Sequence, residues 1–251
     1  MSDSKTPQLG NVRKSSCLGL LTIAVALLFS GICSANPPAN KGDKSVPTNS
    51  LPPPAIASSP FLQILQKRRT SRDYASRQLD RQTISNLLWA AYGINRPDDG
   101  KRTAPSAHDW QYIDIYVTDS NGLYWFNAKR HDLDLVKAGD IRAMTGMQQD
   151  IAAKAPFSLV YVFDERKTDS NASADQRTLF AATTAGAIVQ NVYLYCAAAS
   201  LNTGVRADIE REPLHKAMGL SSYQKILLAQ SVGYPSTLGS LKGGIKSVFS
   251  Q

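Results

Sequence analysis

The sequence predicts an α+β fold, in which helices and strands alternate irregularly and at least two strands form a hairpin. Three observations carry this. Residues 112–118 alternate, with Ile113, Ile115 and Val117 on one face, and Asp119-Ser120-Asn121-Gly122 turns the chain into a second strand at 123–126. Residues 157–163 and 226–232 are short apolar runs, the pattern of strands buried on both faces. Between them lies a long Ala-rich helix, residues 174–200.

The remaining elements follow in order. Ser59-Pro60 is an N-cap followed by proline at the first helical position, and Phe61, Ile64 and Leu65 share one face of the helix it opens. Asp80 caps a second helix over 81–92, striped by Ile84, Leu87, Leu88 and Ala91, and Gly93 ends it. A short helix is expected at 212–218. Residues 178–205 contain no charged side chain, a length that can span a bilayer. Thr183, Thr184, Gln190, Asn191 and the many alanines make the run only weakly apolar, which favours a core helix or a subunit seam. There is no internal repeat.

The N-terminus has its own organisation. Arg13 and Lys14 precede an uncharged run with an apolar centre at 18–29, and Cys33-Ser34-Ala35 supplies the small residues a signal peptidase needs. Residues 1–35 are therefore expected to be a secretory leader, with an uncleaved membrane anchor as the alternative. Bulky Ile32 argues against lipidation at Cys33, and one Arg-Lys pair imitates a twin-arginine signal poorly. Residues 36–59 hold six prolines among Asn, Ser, Lys and Gly, without apolar periodicity, and are expected to be a flexible linker. Residues 60–251 then form one domain, within a mature chain of 216 residues that can bury a substantial core. The leader carries Lys5, Arg13, Lys14 and Asp3, so the net +8 of the whole chain becomes +6 after cleavage. That basic balance suits an anionic ligand; the charges are scattered, and no nucleic-acid module is evident.

Several chemistries lack their signatures: Gly-x-Gly-x-x-Gly, the phosphate-binding P-loop and the Gly-x-Ser-x-Gly elbow are absent from the sequence. His108, His131 and His215 show no zinc spacing, and His108 is read as a loop histidine beside Pro105-Ser106-Ala107. Cleavage of the leader leaves Cys196 alone in an apolar helix, where it reads as a small buried hydrophobe. Asn171-Ala172-Ser173 matches a glycosylation acceptor, as many irrelevant loops do.

One stretch stands out chemically. Lys67-Arg68-Arg69-Thr70-Ser71-Arg72-Asp73-Tyr74 places three arginines and two hydroxyls within five residues, a set that can hold a phosphate by charge-assisted, forked hydrogen bonds. It is followed, in order, by Arg102-Thr103-Ala104-Pro105-Ser106-Ala107, Gln111, Ala155-Pro156, Gln190-Asn191-Val192-Tyr193-Leu194 and Gly233-Tyr234-Pro235. This ordered set, over residues 61–235, resembles the nitroreductase family of FMN-dependent oxidoreductases.

The resemblance implies a mixed, largely antiparallel sheet flanked by helices, and a homodimer whose long helices pack together. It implies FMN as cofactor and NADH or NADPH as electron donor; the family does not bind its donor with the dinucleotide fingerprint missing here. Arg68, Arg69, Thr70 and Arg72 occupy the places that contact the flavin and its phosphate. Pro105, Ser106 and Ala107 match the segment that reaches the flavin of the partner subunit, and Gln111 the usual downstream Gln, whereas Asp109 stands where many members have Asn. Gln148, with Gln149 adjacent, matches a residue at the polar edge of the ring. Arg206-Ala207 falls where many members have Glu-Gly beside the flavin N5; Arg206 either packs by the flavin or points to solvent at the end of the long helix, where a positive charge suits the helix dipole. Lys242 is the candidate for a C-terminal basic residue at the phosphate. Arginines near the N1–C2 edge would stabilise charge that builds there on reduction, so no dedicated acid or base is required. The implied activity is reduction of nitroaromatic or quinone-like small molecules. The alternatives are an azoline-type dehydrogenase of the same family and a flavin-fold binding module without turnover.

Overall fold

The computed structural model describes residues 51–236; the leader, the linker as far as residue 50 and Lys242 lie outside the described residues. A 3-10 turn, Ile56–Ser58, occupies part of the expected linker and packs on the first helix, where the Gln63 side-chain amide donates to Ala57 O. Helix α1 (Pro60–Lys67) begins as expected, with the Ser59 hydroxyl accepting from Leu62 N–H. In α2 (Arg81–Tyr92), Asp80 accepts from Thr83 N–H at 2.8 Å and from the Thr83 hydroxyl at 2.7 Å. Gly93 ends α2 without the left-handed turn the sequence suggests: its φ is −71°. Glycine is needed there for space, since a Cβ would sit 2.7 Å from the Trp89 backbone.

A two-stranded ribbon, β1 (Ile94–Arg96) and β2 (Lys101–Arg102), precedes the main sheet. The sheet contains β3 (Ile113–Thr118), β4 (Gly122–Asn127), β5 (Asp132–Ala138), β6 (Phe157–Asp164), β7 (Asn202–Arg206) and β8 (Gln224–Gly233), in spatial order β5-β4-β3-β6-β8-β7. Every described pairing in it is antiparallel. The Asp119 carboxylate takes the N–H groups of Asn121 and Gly122, which fixes the β3–β4 turn and hence the register Thr118↔Leu123. Helices α3 (Gln149–Lys154), α4 (Ala174–Ala198) and α5 (Arg211–Met218) complete the fold.

Strand β6 is buried along its whole length, as its unbroken apolar run predicts. Its alternate residues feed two cores. Phe157, Leu159, Tyr161 and Phe163 join Leu87, Tyr92, Ile188 and Val192 beneath α2 and α4. Val160 and Val162 face the other way, onto Leu214, Met218 and Ile226 around α5. Helix α4 starts in a full capping box between Ser173 and Gln176. It is long and apolar enough to cross a membrane by composition, yet it packs on α1, α2, β3, β7 and β8. It buries Ala181, Ala185, Ile188, Val192 and Cys196. The charge-free run therefore ends as a helix at Ala198 and continues into β7.

Candidate functional site

Arg68, Arg69, Thr70 and Arg72 leave the end of α1 and run along the outer edge of β7. Among the described residues no further strand pairs with that edge, so its polar groups need other partners. Ser71 N–H donates to Thr203 O at 2.9 Å, and Arg72 Nη2 donates to Val205 O at 2.8 Å. Val205 N–H donates to the Tyr193 hydroxyl at 3.1 Å, and that hydroxyl is also 2.9 Å from Thr70 Oγ1. Tyr193, on α4, thus joins the arginine segment to the strand, and its ring lies 5.3 Å from the Arg68 guanidinium. Gly204 makes the close approach possible, because a Cβ there would press on the Arg72 side chain at 3.0 Å. Arg69 is exposed and, with Lys67, Tyr193, Cys196, Asn202 and Pro235, lines a cavity of about 220 Å³.

Arg206 sits at the end of β7, not at the end of the long helix, and its side chain turns inward. Nε donates to Thr145 O at 2.7 Å, and Nη2 reaches Thr145 Oγ1 at 2.8 Å and Ser231 Oγ at 2.7 Å. Gly146 follows closely, since a Cβ there would meet Arg206 at 2.9 Å. Burial and, more weakly, the neighbouring Arg72 push the Arg206 guanidinium below its ordinary range. Ala207 is exposed just beyond. Gln148 caps α3 through its backbone carbonyl, three residues after Thr145, and its side chain makes no hydrogen bond among the described residues.

Two properties of this cluster suit FMN. No carboxylate forms an ion pair with Arg68, Arg69, Arg72 or Arg206 among the described residues. The Tyr74 hydroxyl is buried without a hydrogen-bond partner; burial is the main cause that raises its pKa far above the ordinary phenol value, with the Arg206 and Arg72 charges opposing it. A set rich in donors and cations, with no carboxylate paired to them among the described residues, is complementary to a phosphate and to the carbonyl edge of a flavin.

Pro105, Ser106 and Ala107 lie in a different part of the chain. Ser106 Oγ accepts from Gln111 N–H at 3.1 Å, and Ala107 N–H donates to the Tyr112 hydroxyl at 3.3 Å. No hydrogen bond or ring contact among the described residues joins this segment to Arg68–Arg72 of the same chain. The sequence did not reveal Thr145, Gly204 or Ser231 as site residues, and Tyr74 was visible only as the last residue of the Lys67–Tyr74 stretch. Tyr193 was visible only as part of Gln190-Asn191-Val192-Tyr193-Leu194.

The comparisons with known proteins bear on the family and the fold. The model of the nitroreductase family matches residues 65–234. A provisionally named nitroreductase of Methanocaldococcus jannaschii is 27% identical over 185 residues, covering 70% of this chain and 92% of that protein. A crystal structure from Ralstonia eutropha, also provisionally named a nitroreductase, is 37% identical with a TM-score of 0.68, covering 74% of this chain and 89% of its own. A Desulfovibrio desulfuricans structure of the same provisional description, in complex with FMN, shares the fold at 20% identity and a TM-score of 0.54, over 72% and 89%. The chain belongs to the nitroreductase family of FMN-dependent oxidoreductases.

Proposed function

We propose that this protein binds FMN along β7 and uses NADH or NADPH to reduce nitroaromatic or quinone-like small molecules by two electrons. The observation that carries this reading is the cluster of arginines without carboxylate partners around the Tyr193-tethered edge of β7. FMN supplies the redox chemistry when bound. Arg68, Arg69 and Thr70 hold its phosphate, with Lys242 as a further candidate. Arg72 and Arg206 set a positive potential that favours electron uptake beside them. The Thr145 and Ser231 contacts keep Arg206 in place, so the field is preorganised and need not be rebuilt at each turnover. Ala207 offers a backbone N–H near the same place, and Gln148 an amide toward the ring's polar edge.

The site is shared in this reading. Two copies associate through the outer face of α4, where Leu179 is exposed, and Pro105, Ser106 and Ala107 close the partner's site. Residues 1–35 direct the chain out of the cytoplasm, and the Pro-rich segment gives the domain reach. The test is anaerobic addition of NADH, then NADPH, to FMN-loaded protein, followed by a nitroaromatic or a quinone. Bleaching of the flavin absorbance by a donor and its return on adding the acceptor support the reading. Retained yellow colour with both donors would rule out the nicotinamide step. Light scattering of the mature protein checks the dimer, and N-terminal sequencing of the exported protein checks cleavage after Ala35.

A further inference from the structure

A second cavity, of about 400 Å³, lies apart from the β7 edge, between the Arg102–Gln111 loop and the outer ends of β3 and β4. Trp110, Trp125 and Tyr92 line it, and so do Arg102, Lys129, Lys167 and one carboxylate, Asp114. That carboxylate is already engaged: Lys167 Nζ lies 2.7 Å from Asp114 Oδ1, and Trp125 Nε1 donates to the same atom at 3.3 Å. Arg102 and Lys129 form no ion pair among the described residues. Arg102 stacks over the Tyr92 ring at 4.6 Å. It spends Nε on Gln111 Oε1 at 2.7 Å and Nη1 on Tyr92 O at 3.0 Å, which leaves Nη2 without a partner among the described residues. Burial lowers its pKa, a sign that the charge is held away from bulk water. Tyr92 is 1% exposed, and its hydroxyl lies beside Ser106 without a well-formed hydrogen bond.

The wall of this cavity is built at a cost in backbone strain. His108, Asp109 and Gln111 all have positive φ, at 53°, 54° and 49°. Non-glycine residues avoid that region, and runs of them mark places where the surroundings hold a shape for a reason. Here they turn Trp110 against His108, stacked at 4.6 Å, and its edge toward Tyr112. They also place the Gln111 side chain so that it bridges Arg102 and Gly100 O.

We infer that this cavity binds a planar aromatic carboxylate, with the ring between Trp110 and Trp125 and the carboxylate on Arg102 Nη2 and Lys129. The aromatic walls suit a flat apolar body, and the surplus of unpaired positive charge selects an anion. None of Arg68, Arg69, Arg72 and Arg206 lines this cavity, so it is tested on FMN-loaded protein, with the β7 edge already filled. Calorimetry with 2-naphthoate and its neutral analogue 2-naphthamide is expected to show the acid binding roughly tenfold tighter or more, the ratio for one charge-assisted hydrogen bond. Lys129→Met changes an exposed side chain and leaves the fold intact; it is expected to weaken naphthoate roughly fivefold or more, and Arg102→Lys to do the same by removing the fork. Equal affinity for acid and amide, or unchanged affinity in Lys129→Met, would overturn the inference. So would loss of binding in Arg72→Ala with Lys129→Met unaffected, since the anion would then sit at the β7 edge. Because none of these readouts is a redox step, these outcomes leave the proposed redox function to stand or fall by itself.

Discussion

The two margins of the main sheet treat positive charge in opposite ways. At the Asp164 end, each cation finds an acid close in sequence or on a neighbouring strand: Arg166 with Asp164 at 2.6 Å, Lys167 with Asp114 at 2.7 Å and Lys225 with Glu165 at 2.5 Å. At the β7 edge, Arg68, Arg72 and Arg206 have an aromatic ring, two backbone carbonyls and hydroxyls as partners and, among the described residues, no carboxylate. Like charges gathered in this way repel and do not stabilise a fold. Paired charges at one margin serve folding and solubility; unpaired ones at the other fit an anionic ligand. If the proposed FMN site is right, the contrast separates structural arginines from binding arginines within one chain.

The largest expected effect falls on ligand affinity at the unpaired margin. Arg68→Ala or Arg72→Ala should weaken FMN binding by about 1.5–3 kcal/mol, the range for a hydrogen bond to a charged group. Lys225→Met at the paired margin should leave that affinity unchanged. Equilibrium dialysis decides, and equal losses in all three variants would erase the distinction between margins. Next comes Arg206→Ala, which takes the donor from Thr145 O while Ser231 Oγ keeps Ser158 Oγ at 2.8 Å, and should cost about 1–3 kcal/mol in urea unfolding. It should also make the midpoint potential of bound flavin more negative, because a cation that favours electron uptake is gone. An unchanged potential would restrict Arg206 to a structural role.

Smaller effects sharpen the other side. Lys225→Met removes a largely exposed pair and should change stability by less than about 1 kcal/mol. The pH dependence separates the margins again. The hydrogen bonds from Arg166 hold the Asp164 carboxyl below its ordinary value. A carboxylate with a depressed folded-state pKa stabilises above its unfolded pKa of about 4, and that contribution fades as pH falls through the folded value. FMN affinity should weaken earlier, as pH falls through about 6, where a phosphate monoester loses its second charge. A flavin affinity that stays flat until unfolding begins would argue against a phosphate clamp.

Much of this contrast was legible in the sequence, and the unreadable part has a physical cause. The β3–β4 hairpin, the buried β6 and β8, and the capped α1 and α2 each carry a local pattern: alternation, an apolar run or a cap residue. Strands β5 and β7 do not. Asp132–Ala138 lies at the exposed edge of the sheet, so nothing forces apolar alternation there. Asn202–Arg206 includes Gly204, which weakens strand propensity and is there to admit Arg72. Missing β7 had a direct consequence for the site. With no strand in view, Arg206 could be read as the solvent-facing end of a helix, although it is a half-buried clamp on Thr145 and Ser231. Cys196 was read correctly, since apolar burial is a property of the helix itself; burial pushes its thiol up to about 12. Tyr74, Thr145 and Ser231 meet only in the folded chain, and no spacing announces them.

The most direct test of the central claim is the affinity of the protein for FMN compared with riboflavin, which differs only in lacking the phosphate. If the unpaired arginines exist for that phosphate, FMN should bind roughly tenfold tighter or more, and the gap should close in Arg68→Ala and Arg72→Ala. Equal affinity for the two flavins, or a gap that survives both substitutions, would contradict the account.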